Sequence, residues 1–166
     1  MSRCCNARRR HGDKAAQLSG QACIAAVTRG GGTDNPVTGA TITQQGTGLR
    51  ASNPVMQTVA LPFQLSNLAA AFFISTVDFT LTTRCDSLPI VVTSPENRGA
   101  LSATPFVVPL TVQPMTAVNV TTHGFTIRSV ILLLGESQAV INDYLATAVL
   151  GTCVNVQVTC QQCGRH

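Results

Sequence analysis

At 166 residues the chain can bury a full core without metals or disulfides, so its seven cysteines are not there to rescue a tiny fold. Charged residues make up only 11% of it, against a usual quarter, and so neutral a surface does little to keep copies apart. The formal charge of +4 sits at one end: residues 1–14 hold five basic residues against Asp13 (5 − 1 = +4), and the six arginines and six acids beyond cancel, which argues against a nucleic-acid-binding body and for a neutral surface of the kind found at interfaces.

Residues 1–20 are polar, basic and small, and read as an N-terminal connector arm. Short apolar runs follow, separated by turn residues every eight to fifteen positions, the spacing of an all-β protein. The expected strands are 22–28, 38–43, 55–61, 71–83, 88–93, 105–112, 117–122, 125–134 and 153–159. Alternation is plain in two of them. Phe73, Ser75, Val77, Phe79 and Leu81 share one face, with Thr76, Asp78, Thr80 and Thr82 on the other. Val154, Val156 and Val158 point one way, and Cys153, Asn155, Gln157 and Thr159 point the other. That places Cys153 on a polar face within a partner's reach.

Gly, Pro and Asn punctuate residues 29–36, 46–54 and 94–99 and the His123-Gly124 pair, and prolines at 62, 89, 105, 109 and 114 argue for edge strands or bulges. Residues 136–150 fit either a short helix or a strand with a turn at Asn142-Asp143. Eight or nine strands in so short a body predict a jelly roll or a similar β-sandwich. The expected assembly domain covers 21–159, with a cysteine-containing tail at 160–166.

The cysteines carry the chemistry. Cys4 and Cys5 lie in the arm, Cys23 opens the first strand, Cys85 is mid-chain, and Cys153, Cys160 and Cys163 crowd the C-terminal end. Seven is odd, so at least one is free, bound to metal or paired with another chain. Adjacent cysteines do not readily pair with each other. An arm bearing Cys4 and Cys5 can instead bond cysteines of neighbouring subunits, and dissociation then requires breaking bonds. Cys85, Cys160 and Cys163 are further disulfide candidates, and thiols with no role at all remain open. A metal is the other alternative: Cys160, Cys163 and His166, with Cys4, Cys5 and His11, have ligand types, yet a single C-x₂-C is a weak zinc signal.

Three other motifs weigh less. Gly135-Glu136-Ser137-Gln138-Ala139 after an apolar run has the outline of a nucleophile elbow, but only Asp143 and His166 follow it and no βαβ pattern precedes it. Catalysis is not expected, nor is a cofactor or small-molecule substrate. Arg8, Arg9 and Arg10 on an arm before a jelly roll also suit a small viral coat protein that binds RNA phosphates. Nucleic acid is nevertheless not the partner the body favours. No apolar stretch follows the basic leader, and Leu68 to Ile74 is too short to span a bilayer, so cytosolic synthesis without a signal peptide is expected, with no membrane partner.

The Cys-Cys leader, the Thr/Val-rich β body and the late Gly151-Thr152-Cys153 resemble the endospore appendage subunits of spore-forming Firmicutes. The resemblance implies a jelly-roll subunit whose connector inserts into subunits further along a fibre. Cys4 and Cys5 would be the connector cysteines, Cys23 the early-strand partner and Cys153 the late-strand partner. It departs from the family where a late Tyr is replaced by Val158 and Thr159, and in the Arg triplet and the Cys160/Cys163 pair. The expectation is a self-assembling homopolymer, a helical filament on the spore surface, locked by intersubunit disulfides.

Overall fold

The computed structural model describes residues 14–30, 36–97 and 107–162. Among them are nine strands and one helix: β1 (Lys14–Arg29), β2 (Val37–Thr47), β3 (Leu49–Ala51), β4 (Val55–Ala60), β5 (Ala69–Leu81), β6 (Ile90–Asn97), β7 (Val107–Val118), β8 (Gly124–Gly135), α1 (Gln138–Ala148) and β9 (Thr152–Gln162). The all-β expectation holds. The strands form one continuous antiparallel sheet in the order β6-β9-β1-β2-β4-β5-β8-β7, with β3 beside β5, and not two stacked sheets. The sheet curls until its two edges meet. There the Thr93 hydroxyl of β6 donates to the Met115 carbonyl of β7 at 2.7 Å, and the sheet is nearly closed. A strand pair that twists in one sense accumulates curvature, and near-closure hides most of two long edges.

Residues 14–20, expected in the arm, belong to β1, which pairs with β9 from Lys14↔Gln162 to Cys23↔Cys153. The signal was there: Ala16 and Leu18 alternate with Gln17 and Ser19, and both pack against the core. At the other terminus, residues 160–162, expected in the tail, continue β9. The expected strands 105–112 and 117–122 are one strand, β7, with register shifts around Gln113. Pro109 and Pro114 are tolerated because β8 is the only strand laddered with β7, and the other edge of β7 needs no N–H donor. A tight crossing also needs a glycine: Gly46, at φ +130°, faces Gly20 across β1–β2, and a Cβ there would run into the Ser19 carbonyl.

The strand directions give the sheet two ends. At one, β1 begins and β9 finishes; at the other, β8 ends and α1 follows. Each end has its own core. Phe79, Leu81, Phe125, Ile127, Val154, Val156 and Val158 fill the first, where the Phe79 and Phe125 rings stack with centroids 5.3 Å apart. Phe73, Met56, Val37 and Leu133 fill the second against Ile141, Tyr144 and Leu145 of α1. The ambiguous stretch 136–150 is thus a helix, and it acts as the plug of that end.

Candidate functional site

Four of the seven cysteines fall within the described residues, and they form two bridges inside one chain. Cys23 bonds Cys153, with Cα atoms 4.0 Å apart, and Cys85 bonds Cys160, with Cα atoms 5.4 Å apart. Cys4, Cys5 and Cys163 lie outside the described residues. The first pairing follows from register. Cys23 and Cys153 are directly opposite on neighbouring antiparallel strands, where Cβ atoms come within about 4.5–5.5 Å. Both cysteines carried the expectation of bonding a neighbour's arm; in this chain they bond each other. The expectation that Cys153 is reachable on a polar face needs the same correction. It does lie on the face opposite Val154, Val156 and Val158, but only 1% of it is exposed. Its partner Cys23 is half-buried and forms the accessible side of the bridge.

The second bridge lies in the core. Cys85 and Cys160 are 0% and 1% exposed and pack among the valines of β9. The turn after β5 is tied in further by Cys85 N–H donating to the Thr122 carbonyl at 2.9 Å and Asp86 N–H donating to the Gln161 carbonyl at 3.1 Å. This staple closes the end where β1 begins. Cys160, expected in a tail, is therefore a core residue of β9.

The outer face around Cys23–Cys153 is polar and well defined. The Gln21 amide donates to Asn155 Oδ1 at 2.8 Å, and Asn155 Nδ2 donates to Glu96 Oε2 at 3.2 Å. Glu96 is the register partner of Cys153 on β6, and its carboxylate is held by Gln21 and Asn155 of the neighbouring register pair. On the other side the β2 neighbour of Cys23 is Thr43, an exposed small residue. The bridge is thus open towards β2 and buried towards β6.

A second surface feature lies along the two edges of the sheet. Leu88, Ile90 and Val92 on and before β6 are 66%, 66% and 57% exposed, and Val108, Leu110 and Val112 on β7 are 50%, 46% and 58% exposed. Sequence reasoning placed strands there without identifying them as the edges, because edge position depends on the pairing order of the whole sheet.

The other sequence motifs resolve locally. Ser137 is the N-cap of α1, its hydroxyl accepting from Val140 N–H at 3.2 Å, and Asp143 pairs with Arg29 at 3.4 Å on the surface. The Gly-x-Ser pattern here marks a strand-to-helix turn. No group of three or more His, Cys, Asp or Glu among the described residues is placed to hold a metal. His166 lies outside them. No described helix is long and apolar enough to cross a membrane.

Between the two cores, near the middle of the sheet, is a cavity of about 50 Å³ lined mainly by Ile24, Ile42, Met56, Val77, Ile127 and Val154. Ser75 and Ser129, direct partners on β5 and β8, share a hydrogen bond at 2.9 Å on its wall. Their hydroxyls satisfy each other, so two polar groups sit in the core at little cost.

Fold and bridges together define a small, disulfide-bonded, nearly closed antiparallel β domain of the kind that persists in oxidising, extracellular surroundings. No protein-family model, curated protein or solved structure matches the chain.

Proposed function

We propose that this chain is a structural subunit that assembles with copies of itself into an extracellular, spore-appendage-like fibre, and that Cys4 and Cys5 lock each subunit to a neighbour. The observation that carries this reading is the exposed aliphatic row on both edge strands, Ile90 and Val92 on β6 and Val108, Leu110 and Val112 on β7. Soluble monomers blunt their sheet edges with charge or lysine. These strands present branched hydrophobics instead, an exposed apolar strip that a second copy can cover.

Reach supports the covalent part. The described part of β1 begins at Lys14, about nine residues along the strand from Cys23, or roughly 30 Å at about 3.3 Å per residue. Cys5 is about nine residues before Lys14, so a fully extended arm spans roughly 30 Å as well. Within one chain the thiols meet the bridge only if the arm doubles back at full stretch. A neighbour stacked head-to-tail brings its Lys14 end against the α1 end, where Cys153 begins β9, and its arm then has length to spare. Head-to-tail contacts that do not close produce helical filaments.

The test is assembly of the full-length protein under oxidising conditions, followed by electron microscopy and gels with and without reductant. Fibres that resist boiling in detergent and dissolve only with reductant are expected. Leu110→Lys should block assembly while leaving the fold intact by circular dichroism. A single 17.4 kDa particle in light scattering, unchanged by concentration, would sink the reading.

A further inference from the structure

We propose that Cys23–Cys153 is an exchange site, at which an arm thiolate from a second copy replaces the intrachain bond with an interchain one. This deepens the assembly reading and rests on it. The step is as follows. The Cys4 or Cys5 thiolate of one copy attacks Cys23 Sγ of the next, forming a new S–S bond. The Cys23–Cys153 bond breaks, and Cys153 leaves as a thiolate that takes a proton from solvent. The proton given up by the arm thiol balances it. One disulfide is lost and one gained, so no oxidant is consumed.

Three features of the structure assign the attacked sulfur. First, exchange requires access, and of the four bridged cysteines only Cys23 is not fully buried. Second, the attacking thiolate must approach in line with the S–S bond, from the side away from the leaving sulfur. For Cys23 that side faces β2, where its neighbour Thr43 is exposed and short. Third, approach to Cys153 would come from β6, whose strand runs beside it and leaves it 1% exposed.

Burial also disfavours charge on the departing Cys153 sulfur, which slows exchange with dilute thiols in solution. An arm held by the assembled subunit has an effective concentration on the order of millimolar, which offsets that barrier. The bridge is therefore stable in a free subunit and becomes exchangeable once a neighbour docks. Cys85–Cys160, buried at 0% and 1%, stays closed throughout.

The experiment starts from full-length protein with both bridges formed and the remaining cysteines reduced, verified by alkylation and mass mapping. It is concentrated under anaerobic conditions with chelator and no oxidant. Interchain bonds should form while the total thiol count stays constant, and newly alkylatable Cys153 should rise in step with cross-linked Cys23. Cys153→Ser, which leaves Cys23 without a bridge to exchange, should form none until an oxidant is added. With dilute reduced glutathione, Cys23–Cys153 should open at least about tenfold faster than Cys85–Cys160, since accessibility governs the rate. A thiol count that falls by two for each bond, or a new free thiol at Cys85 or Cys160, would overturn the proposal. Assembly seen in light scattering without any anaerobic cross-link would overturn the exchange alone. Absence of assembly in the unbridged Cys23→Ala/Cys153→Ala variant and in wild type alike would overturn the underlying assembly reading as well.

Discussion

The two ends of this sheet solve the same problem by different chemistry. A nearly closed sheet leaves its core open at both mouths, and each mouth must be covered to exclude water. At the end where β8 finishes, a helix covers it: Ile141, Tyr144, Leu145 and Ala146 of α1 are buried against Phe73 and Leu133. At the end where β1 starts, no helix is present among the described residues. A turn covers it, pinned by Cys85–Cys160 and by main-chain bonds to Thr122 and Gln161. A helix contributes its own hydrogen bonds and a large apolar face. A short turn contributes neither, and a covalent bond stands in for them. The position of Cys85–Cys160 thus follows from which mouth lacks regular structure among the described residues.

The strongest way to break that comparison is to remove the staple. The chain-entropy account assigns each bridge about 2–4 kcal/mol, and the longer span of Cys23–Cys153 (130 residues against 75) favours it by only about 0.5 kcal/mol. Loop length therefore does not separate the two; burial does. Cys85→Ala/Cys160→Ala should cost about 4 kcal/mol or more, because it also empties sulfur volume from a packed core. That corresponds to a fall in Tm of about 10 °C in non-reducing calorimetry. Cys23→Ala/Cys153→Ala should cost visibly less. Equal losses, or a larger loss for the outer pair, would undo the claim that the inner bridge replaces a plug.

Next in size is the helix-covered mouth. Leu133 is 1% exposed on β8 beneath α1, and Leu133→Ala should cost about 3 kcal/mol in chemical denaturation. Its effect should persist in the protein lacking Cys85–Cys160, since the two sites occupy separate cores and distant substitutions add. Strong non-additivity would mean that the cores communicate through the cavity between them.

A smaller effect sharpens the role of α1 itself. The Ser137 hydroxyl satisfies Val140 N–H, one of the orphan donors of the first turn. Ser137→Ala should therefore cost about 1 kcal/mol and raise local hydrogen exchange in α1. Exchange rates at the stapled end, around Cys85, should not change.

How much of this was legible beforehand depends on which physical scale decides each feature. The faces of β5 and β9 were readable because period-two alternation is a local property: Phe73, Phe79 and Leu81 are buried as the pattern requires, and so are Val154, Val156 and Val158. Residues 136–150 were ambiguous for an equally concrete reason. Ile141, Asn142, Tyr144, Leu145 and Ala146 are all buried, so the helix presents little polar face and its 3.6-residue period is blurred. The start of β1 was missed because its leading residues, Ala16 and Leu18, are only partly buried and follow a basic leader. The disulfide partners were beyond reach of spacing alone. Cys23 meets Cys153 through the register of β1 on β9, and Cys85 meets Cys160 through a turn folding across that strand's far end. Both are properties of the assembled sheet. The exposed row of Val108, Leu110 and Val112 likewise acquires meaning only once β7 is known to be an edge.

The smallest effect is spectroscopic, and it bears on which mouth faces a neighbour. The chain has one tyrosine, Tyr144, 8% exposed in the helix that covers the second mouth. Burial raises its phenol above the ordinary value of 10.0, because the phenolate loses hydration there. The folded state holds the proton more tightly than the unfolded one. The resulting stability is intact below pH 10.0 and is lost as pH rises through the higher folded value. Absorbance titration of the folded subunit should accordingly lag behind that of the denatured chain, and Tyr144→Phe should remove the alkaline drop in stability. If the helix-covered mouth is where a second copy stacks, burial around Tyr144 deepens on assembly, and the phenol should titrate higher still in fibres than in free subunits. An unchanged titration in fibres would direct the contact away from α1 and towards the β6 and β7 edges alone.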